Sequence, residues 1–447
     1  MDAAAEQKEA ASQPRSLGGV VRLRPLDEGQ ESAVKVSAHI ISVESAARVS
    51  KHAHATYVAD EGTDNTRLFN DLMPGRIDAF LNGYNVNLLA YGQTGAGKTH
   101  TMFGPPGIMA KAGRGEFGVS ICEDYGLFPR SVLQVFLRVQ ELNRQSSAAD
   151  GEGPLASKRF VLSCSAMEMS VSGHEDMFAR PMLGVSRKLD WSGNAHGVFI
   201  DEAPNPPCVR GHEEQVIDTE EDVLRVFEVM SSRNTKSTKL NDSSSRSHCI
   251  CWLHLYAFDE ATKTIRKTKF QFCDLAGSER MKDAHGVTNF ADAGVDGWQG
   301  MMTNFGLMML SQAVRAKVRL QKSKKHKLSH RSAAFACTLV PLLFGSIAGT
   351  DFTGLVVCCS QLPENASQTI NALNFGATFA KLHVTPKQAR VVSLKSMVKQ
   401  AQKVIDENTA ALAKKRAGGK DNRYTMMRQA KLQDAQQLLS ILGRFQG

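Results

Sequence analysis

At 447 residues, with 42% hydrophobic and 22% charged, the chain has the balance of a soluble globular protein and excludes the fibrous and disordered classes. It is long enough for one large domain with an appendage or for two to three ordinary ones. A net charge of +9 implies an acidic partner, either nucleic acid or an acidic protein surface.

Residues 1–16 hold Ala, Gln, Glu and Ser without an apolar run, which excludes a secretory signal or an anchor and reads as a disordered arm over 1–17. A short strand is expected at 20–23, ending in Arg24-Pro25, and a buried strand at 85–91 that runs directly into a glycine-rich turn. The glycine- and proline-rich stretch 104–123 reads as a loop, and so does the Ser-, Ala- and Gly-rich stretch 145–158. Apolar and polar residues alternate at 160–169, 249–257 and 270–275, as strands of one sheet would. Helical periodicity appears at 127–142, 221–230 and 301–318. The most apolar window, 339–359, is broken by Pro341, Gly345, Gly349, Asp351 and Gly354, so it does not read as a membrane span. Nine cysteines show no Cys-x-x-Cys pair; Cys249, Cys251, Cys273, Cys358 and Cys359 lie in strand-like runs and read as buried thiols of a reducing compartment. From Val391 the composition shifts to Ala, Lys, Gln and Leu, with apolar positions at Val391, Leu394, Val398, Ala401, Ile405 and Leu412. This is a helical tail over 386–447, interrupted at Asn408 and ended at Gly418-Gly419. A helix docked on the main domain, a short dimerising coil and a solvated helix all fit it.

Three segments carry chemistry. Gly92-Gln93-Thr94-Gly95-Ala96-Gly97-Lys98-Thr99 follows a strand, as a phosphate-binding loop does. Its glycines let backbone N–H groups curl around a phosphate, Lys98 supplies charge to the β and γ phosphates, and the Thr99 hydroxyl suits Mg²⁺. The second is Asn241-Asp242-Ser243-Ser244-Ser245-Arg246-Ser247-His248, which alone is an ordinary surface turn. In the third, Asp274-Leu275-Ala276-Gly277-Ser278-Glu279, an apolar strand delivers an aspartate at its end, where phosphate-loop enzymes hold Mg²⁺, followed by a glycine whose N–H can sense a γ-phosphate.

Together these segments resemble the kinesin motor family, and the resemblance extends over about 18–381. It is carried by Val21-Arg22-Leu23-Arg24-Pro25, Gly83-Tyr84-Asn85, the run 91–101 (YGQTGAGKTHT), Gly126-Leu127-Phe128-Pro129-Arg130, residues 233–248 and the run 274–280 (DLAGSER). Leu373-Asn374-Phe375-Gly376-Ala377 and Ala380-Lys381 are similar to the family's last motor helix, with Phe379 where an arginine is usual. The resemblance implies an α/β phosphate-loop NTPase fold over 18–385, a mixed and mostly parallel sheet with helices on both faces. It implies ATP and Mg²⁺ as ligands and hydrolysis of the former. Arg22, Arg24, Pro25 and His100 correspond to the adenine-binding set, and Gln93, Thr94, Gly95, Ala96, Gly97, Lys98 and Thr99 to the phosphate loop. Thr99, Ser245 and Asp274 correspond to the metal ligands. Ser244 and Gly277 correspond to γ-phosphate contacts, Arg246 and Glu279 to the pair that closes over the phosphate, and Glu279 to the group that takes a proton from the attacking water.

The partner the resemblance implies is the microtubule, placing the protein in the cytoplasmic cytoskeleton, with a ciliary or flagellar axoneme as a second setting. The expected contact helix keeps Asn304, Leu307 and Leu310 but has Phe305, Gly306 and Ser311 in place of Lys, Ser and Gly. Of the next family signature, on 334–343, only Leu339, Leu342 and Leu343 remain; Ala334, Phe335, Ala336, Cys337 and Pro341 replace its polar members. Arg315, Lys317, Arg319, Lys322, Lys324, Lys325, Lys327 and Arg331 crowd one helix end and loop just upstream. They suit the acidic tails of tubulin or form a solvated basic loop; without interleaved aromatics they do not suit nucleic acid.

Overall fold

The computed structural model describes residues 15–16, 19–37, 40–45, 48–52, 55–148, 157–170, 173–179, 199–201, 208–239, 247–278, 294–321, 338–415 and 423–446. Ten strands form the central sheet: β1 (Gly19–Leu23), β2 (Ala55–Ala59), β3 (Val86–Tyr91), β4 (Lys158–Ser170), β5 (Gly173–Asp176), β6 (Gln215–Val216), β7 (His248–Asp259), β8 (Thr264–Asp274), β9 (Phe352–Cys359) and β10 (Val391–Ser393). They lie in the order β6-β4-β7-β8-β3-β9-β1-β2, with β5 against β4 and β10 against β8. The pairs from β8 to β2 are parallel, whereas β4, β7 and the length of β8 form an antiparallel meander. β3, Val-Asn-Leu-Leu-Ala-Tyr, is buried at every residue because helices cover both faces of a parallel sheet.

The helices are α1 (Asn65–Leu72), α2 (Lys98–Met102), α3 (Leu127–Ala148), α4 (Glu220–Lys239), α5 (Gly294–Leu320), α6 (Ala366–Phe379), α7 (Leu394–Lys415) and α8 (Arg423–Gly443), besides short turns. Successive strand side chains point to opposite faces. Leu88 of β3 accordingly packs with Leu68, Phe136 and Phe227 of α1, α3 and α4, while its neighbour Leu89 packs with Leu310 of α5 and Leu373 of α6. A third apolar cluster joins the outer ends of β4, β7 and β8 to α7 and α8 through Val161, Tyr256, Phe258, Ile265, Leu394, Ile441, Leu442 and Phe445.

The expected strands and helices are present, most with longer bounds, though β3 begins at Val86 and β8 ends at Asp274, each one residue inside the expected span, and the loop expected at 145–158 is taken up at its ends by α3, which runs to Ala148, and by β4, which begins at Lys158. β8 starts at Thr264 rather than 270 because its polar first half, with Arg266, Lys267 and Lys269, pairs along the outer half of β7. The expected loop at 104–123 contains a helix, Ile108–Gly113, packed on α4. Arg15–Ser16, expected in a disordered arm, instead pair antiparallel with His383–Val384. Val391–Ser393, expected to open the helical tail, are a strand: β-branched residues here find the edge of β8, and the helix begins at Leu394. The window 339–359 folds as two short helices and β9, and among the described residues no helix is long and apolar enough to cross a membrane. Cys249, Cys251, Cys273, Cys358 and Cys359 are buried, as expected from their apolar runs.

Candidate functional site

The site is assembled by strand register. β3 and β8 are parallel neighbours with Ala90 opposite Asp274, so the loop leaving β3 and the aspartate ending β8 arrive at one place. At Gly92 (φ 155°) any Cβ would collide with the carbonyl of Cys358 on β9, so only glycine lets the loop turn there. Gly97 (φ 93°) then takes a left-handed conformation that turns the chain into α2. Lys98 is 7% exposed, and its Nζ donates to the Gln93 carbonyl at 2.8 Å, folding the ammonium back over the loop. The Thr99 hydroxyl donates to Asp274 Oδ2 at 2.7 Å.

Beyond Asp274 the chain is strung across the loop. Leu275 N–H donates to the Ala90 carbonyl and Ser278 N–H to the Gly92 carbonyl, which holds buried Gly277 between them. The Ala276 N–H donates to His248 Nδ1 at 3.0 Å, and the Ser247 hydroxyl to Glu168 Oε1 at 2.6 Å. His248 thus ties the end of the serine-rich motif to the start of the Asp-Leu-Ala-Gly motif. Ser244, Ser245, Arg246 and Glu279 lie outside the described residues.

A cavity of about 720 Å³ opens beside the loop, lined by residues that include Arg22, Arg24, Pro25, 61–65, 94–100, Glu123 and Asp124. Arg24 donates to the Gly95 carbonyl at 2.7 Å, spanning the cavity mouth to the loop. Arg22, on the cavity lining, is also hydrogen-bonded within the wall. Its guanidinium, 8% exposed, donates to Asn65 Oδ1 (2.7 Å) and Thr101 Oγ1 (2.9 Å); Thr101 donates on to the Gly97 carbonyl, and Asn65 Nδ2 to the carbonyls of His100 and Asp124. Arg22 therefore braces the wall of the cavity it lines. Burial, and secondarily the Arg22 charge, lowers the His100 pKa, which keeps that ring neutral and suited to a flat, uncharged face.

The donor set fits a nucleoside triphosphate with a divalent cation. A hydroxyl and a carboxylate at hydrogen-bond distance are the hard oxygen ligands that Mg²⁺ takes, and Lys98, Arg24 and the curled loop supply positive charge beside them. The cavity is of a size for a nucleotide. Asn65, Thr101 and His248 do not stand out in the sequence as site residues, although His248 closes the serine-rich motif and Asn65 follows Asp64, the N-cap of α1.

Of the expected partner face, Phe305 packs partly buried against the core beneath α5, Leu307 and Leu310 are buried, and Pro341 is buried in the short helix Leu339–Leu342. Arg315 and Arg319 stand exposed at the end of α5, with Lys317 partly covered. Residues 322–337, with the rest of the basic run and most of the altered signature, lie outside the described residues.

A parallel strand feeding a glycine loop, with its neighbour delivering an aspartate to the loop's threonine, defines a phosphate-loop nucleotide-binding protein of the α/β class. The kinesin motor domain model matches residues 21–382, and the chain belongs to that family. It is 26% identical to kinesin-like protein KIF15 of Mus musculus over 421 residues, covering 87% of this chain and 27% of that one. It is 27% identical to kinesin-like protein KIF21B of Mus musculus (79% and 21%) and 26% to kinesin-like protein KIN-4A of Oryza sativa subsp. japonica (78% and 35%). The chain thus spans 21% to 35% of the length of these relatives. Among solved structures, a fast kinesin superposes with a TM-score of 0.63 at 22% identity, covering 84% of this chain and 94% of that one. The motor of KIF14, solved as a dimer with AMP-PNP on a microtubule, superposes with a TM-score of 0.65 at 20% identity over 84% and 97%. These likenesses establish the motor-domain fold.

Proposed function

We propose that this chain is a microtubule-associated ATPase that couples hydrolysis of Mg-ATP to binding and movement on microtubules. The observation that carries the reading is the convergence of the 92–99 loop, Asp274 and the 275–278 segment on one point, with Gly277 held between a hydrogen bond from Leu275 to the end of β3 and one from Ser278 to Gly92 of the loop. Lys98 would neutralise the β and γ phosphates, and Thr99, Ser245 and Asp274 would hold Mg²⁺, whose charge offsets that of the phosphoryl oxygens. Ser244 and Gly277 would bind the γ-phosphate, Arg246 and Glu279 would close over it, and Glu279 would take the proton of the attacking water through a water chain. Losing one positioning group in such a site costs orders of magnitude in rate. The gap left by the γ-phosphate would be felt at Gly277 and passed to α5 around Asn304 and to the segment after Lys381.

The KIF14 structure, solved in complex with a microtubule, supports the microtubule as partner; on this chain Asn304 and the basic run from Arg315 to Arg331 would make the contact. The setting is then the cytoplasmic cytoskeleton. Steady-state ATPase measured with and without microtubules tests the reading: stimulation of at least tenfold, abolished in Lys98→Ala, is expected, and a rate indifferent to microtubules overturns it.

One observation favours a second reading, an architectural subunit fixed on stable microtubules such as an axoneme's: the segment following α6 is bonded to the body along its whole length. Microtubule affinity compared among ATP-analogue, ADP and nucleotide-free states separates the two. Release by ATP supports the mover; equal, tight binding in all three supports the fixture.

A further inference from the structure

The segment that leaves α6 is bound at every second or third residue. At its start Gln321, just past α5, accepts from His383 N–H at 2.8 Å and donates to the Lys381 carbonyl at 2.9 Å, while His383–Val384 pair with Arg15–Ser16. Thr385 and Lys387 N–H donate to the carbonyls of Gly349 and Thr350, and Ala389 N–H to that of Gly83. β10 then adds to the edge of β8, and α7 begins at the next residue, Leu394, with no spacer.

The chain beyond Leu394 returns to the same place. α7 and α8 form a hairpin in which Asn408 Oδ1 accepts from Arg428 at 3.2 Å. The end of α8 brings Ile441, Leu442 and Phe445 onto the apolar patch of Tyr256, Phe258 and Ile265 that also receives Leu394. α8 is seated by polar contacts as well. Asp434 accepts from the Gly211 N–H at 2.8 Å and pairs with Arg210, Gln437 accepts from the Glu214 N–H at 2.8 Å, and Lys431 pairs with Asp201. The entry and the exit of the hairpin therefore share one apolar seat. Residues 385–393 cannot leave the sheet edge without unseating Leu394, and Leu394 is covered by a helix anchored independently through Asp434 and Gln437. Two linked attachments hold far longer than either alone, because each keeps the other's partner at high local concentration.

We propose that the α7–α8 hairpin is a clasp that keeps residues 385–393 bound along the sheet edge whatever occupies the nucleotide cavity. The proposal rests on the proposed function only in taking that cavity to be a nucleotide site, and it departs from that reading at one point, ending the relay from Gly277 at α5 instead of carrying it on to the segment after Lys381. It makes the hairpin an intramolecular partner for the outer end of β4, β7 and β8, and it makes α5, not the segment after α6, the element free to respond to the cavity.

Amide hydrogen exchange on the whole chain tests it, with AMP-PNP, with ADP and without nucleotide. The peptide covering 385–393 is expected to exchange within about twofold of the same rate in all three states. In Phe445→Asp and in Asp434→Ala the same peptide is expected to exchange at least tenfold faster without nucleotide, while the β8 peptide 270–274 keeps its protection. Should Phe445→Asp also expose 270–274, Asp434→Ala decides alone. Exchange in the unaltered protein that rises more than tenfold when AMP-PNP is replaced by ADP overturns the clasp, as does unchanged protection of 385–393 in both variants. A protein that binds neither nucleotide sinks the proposed function, yet leaves the comparison of unaltered and variant chains intact.

Discussion

Arg22 bonds two side chains that are 43 and 79 residues away in sequence, and each of these grips backbone next to the cavity beside the phosphate loop. Arg22→Ala leaves Asn65 Oδ1 and the Thr101 hydroxyl buried without their donor, at a cost of roughly 2–3 kcal/mol. Urea unfolding should show that loss. Arg22→Lys should recover less than half of it, because one ammonium cannot reproduce the guanidinium fork. Thr99→Ala removes the hydroxyl that meets Asp274 together with the γ-methyl beside it. Nucleotide affinity in EDTA should stay within about twofold, whereas the gain on adding Mg²⁺ should fall at least tenfold, read by displacement of a fluorescent nucleotide. The phosphate loop is legible in sequence because its chemistry is contiguous, Gly92 to Thr99 within one turn. The brace is not, since Asn65 and Thr101 acquire their role only when α1 and α2 are brought against β1.

At the scale of elements, the tail shows what apolar periodicity reaches and what it misses. Asn408, which interrupts the apolar seam of α7, is buried and joins that helix to α8 through Arg428. Asn408→Ala should cost about 1 kcal/mol within the hairpin, seen as roughly fivefold faster amide exchange over 400–412 with the central sheet unaffected. The second tail helix escapes sequence reading because it is gripped on two sides. Thr425, Ala430, Ala435, Ile441 and Leu442 are buried, most of their neighbours are half-covered, and the apolar residues spread around the axis instead of forming one stripe. β10 is hidden for a related reason: a three-residue strand at a sheet edge leaves too short a pattern to distinguish from the first turn of a helix. The altered α5 face has a plainer account, since Phe305 turns toward the core where a lysine would face outward.

Across the whole molecule, burial of titratable groups beneath the hairpin and along β4–β7 sets a dependence on acid. Burial lowers the pKa of His174 to about 4 and that of His254 to about 3; the neighbouring Glu214 carboxylate opposes the shift at His254. Both imidazoles are neutral in the folded state at pH 5, where their unfolded counterparts, with pKa near 6.5, are largely protonated. The unfolded chain then binds more protons, so stability is intact above about pH 6.5 and declines as pH falls toward 4. The difference amounts to about 2 kcal/mol per histidine at pH 5. Glu214 adds to the decline below its ordinary range. Burial pushes its pKa up, but Lys267, His254 and the hydroxyls of Ser163 and Tyr256 outweigh this and hold it low. Thermal unfolding at pH 7.5 and 5 should show a lower midpoint at pH 5, with the drop reduced by about half in His254→Gln. The sheet as a whole is legible, because a parallel core writes itself as apolar runs that alternate with helical segments. What no run of residues discloses is that the antiparallel outer half serves as a dock for the carboxyl-terminal hairpin.

The pairing of Arg15–Ser16 with His383–Val384 brings two distant stretches of chain side by side. Arg15 lies about 5 Å, one strand spacing, from the residues that lead into the clasped segment. A bulky tag or surface tether joined there pulls on the second stretch as well as the first, so single-molecule recordings from an amino-terminally immobilised protein and from one held at Gly447 sample different mechanical loads on the same element.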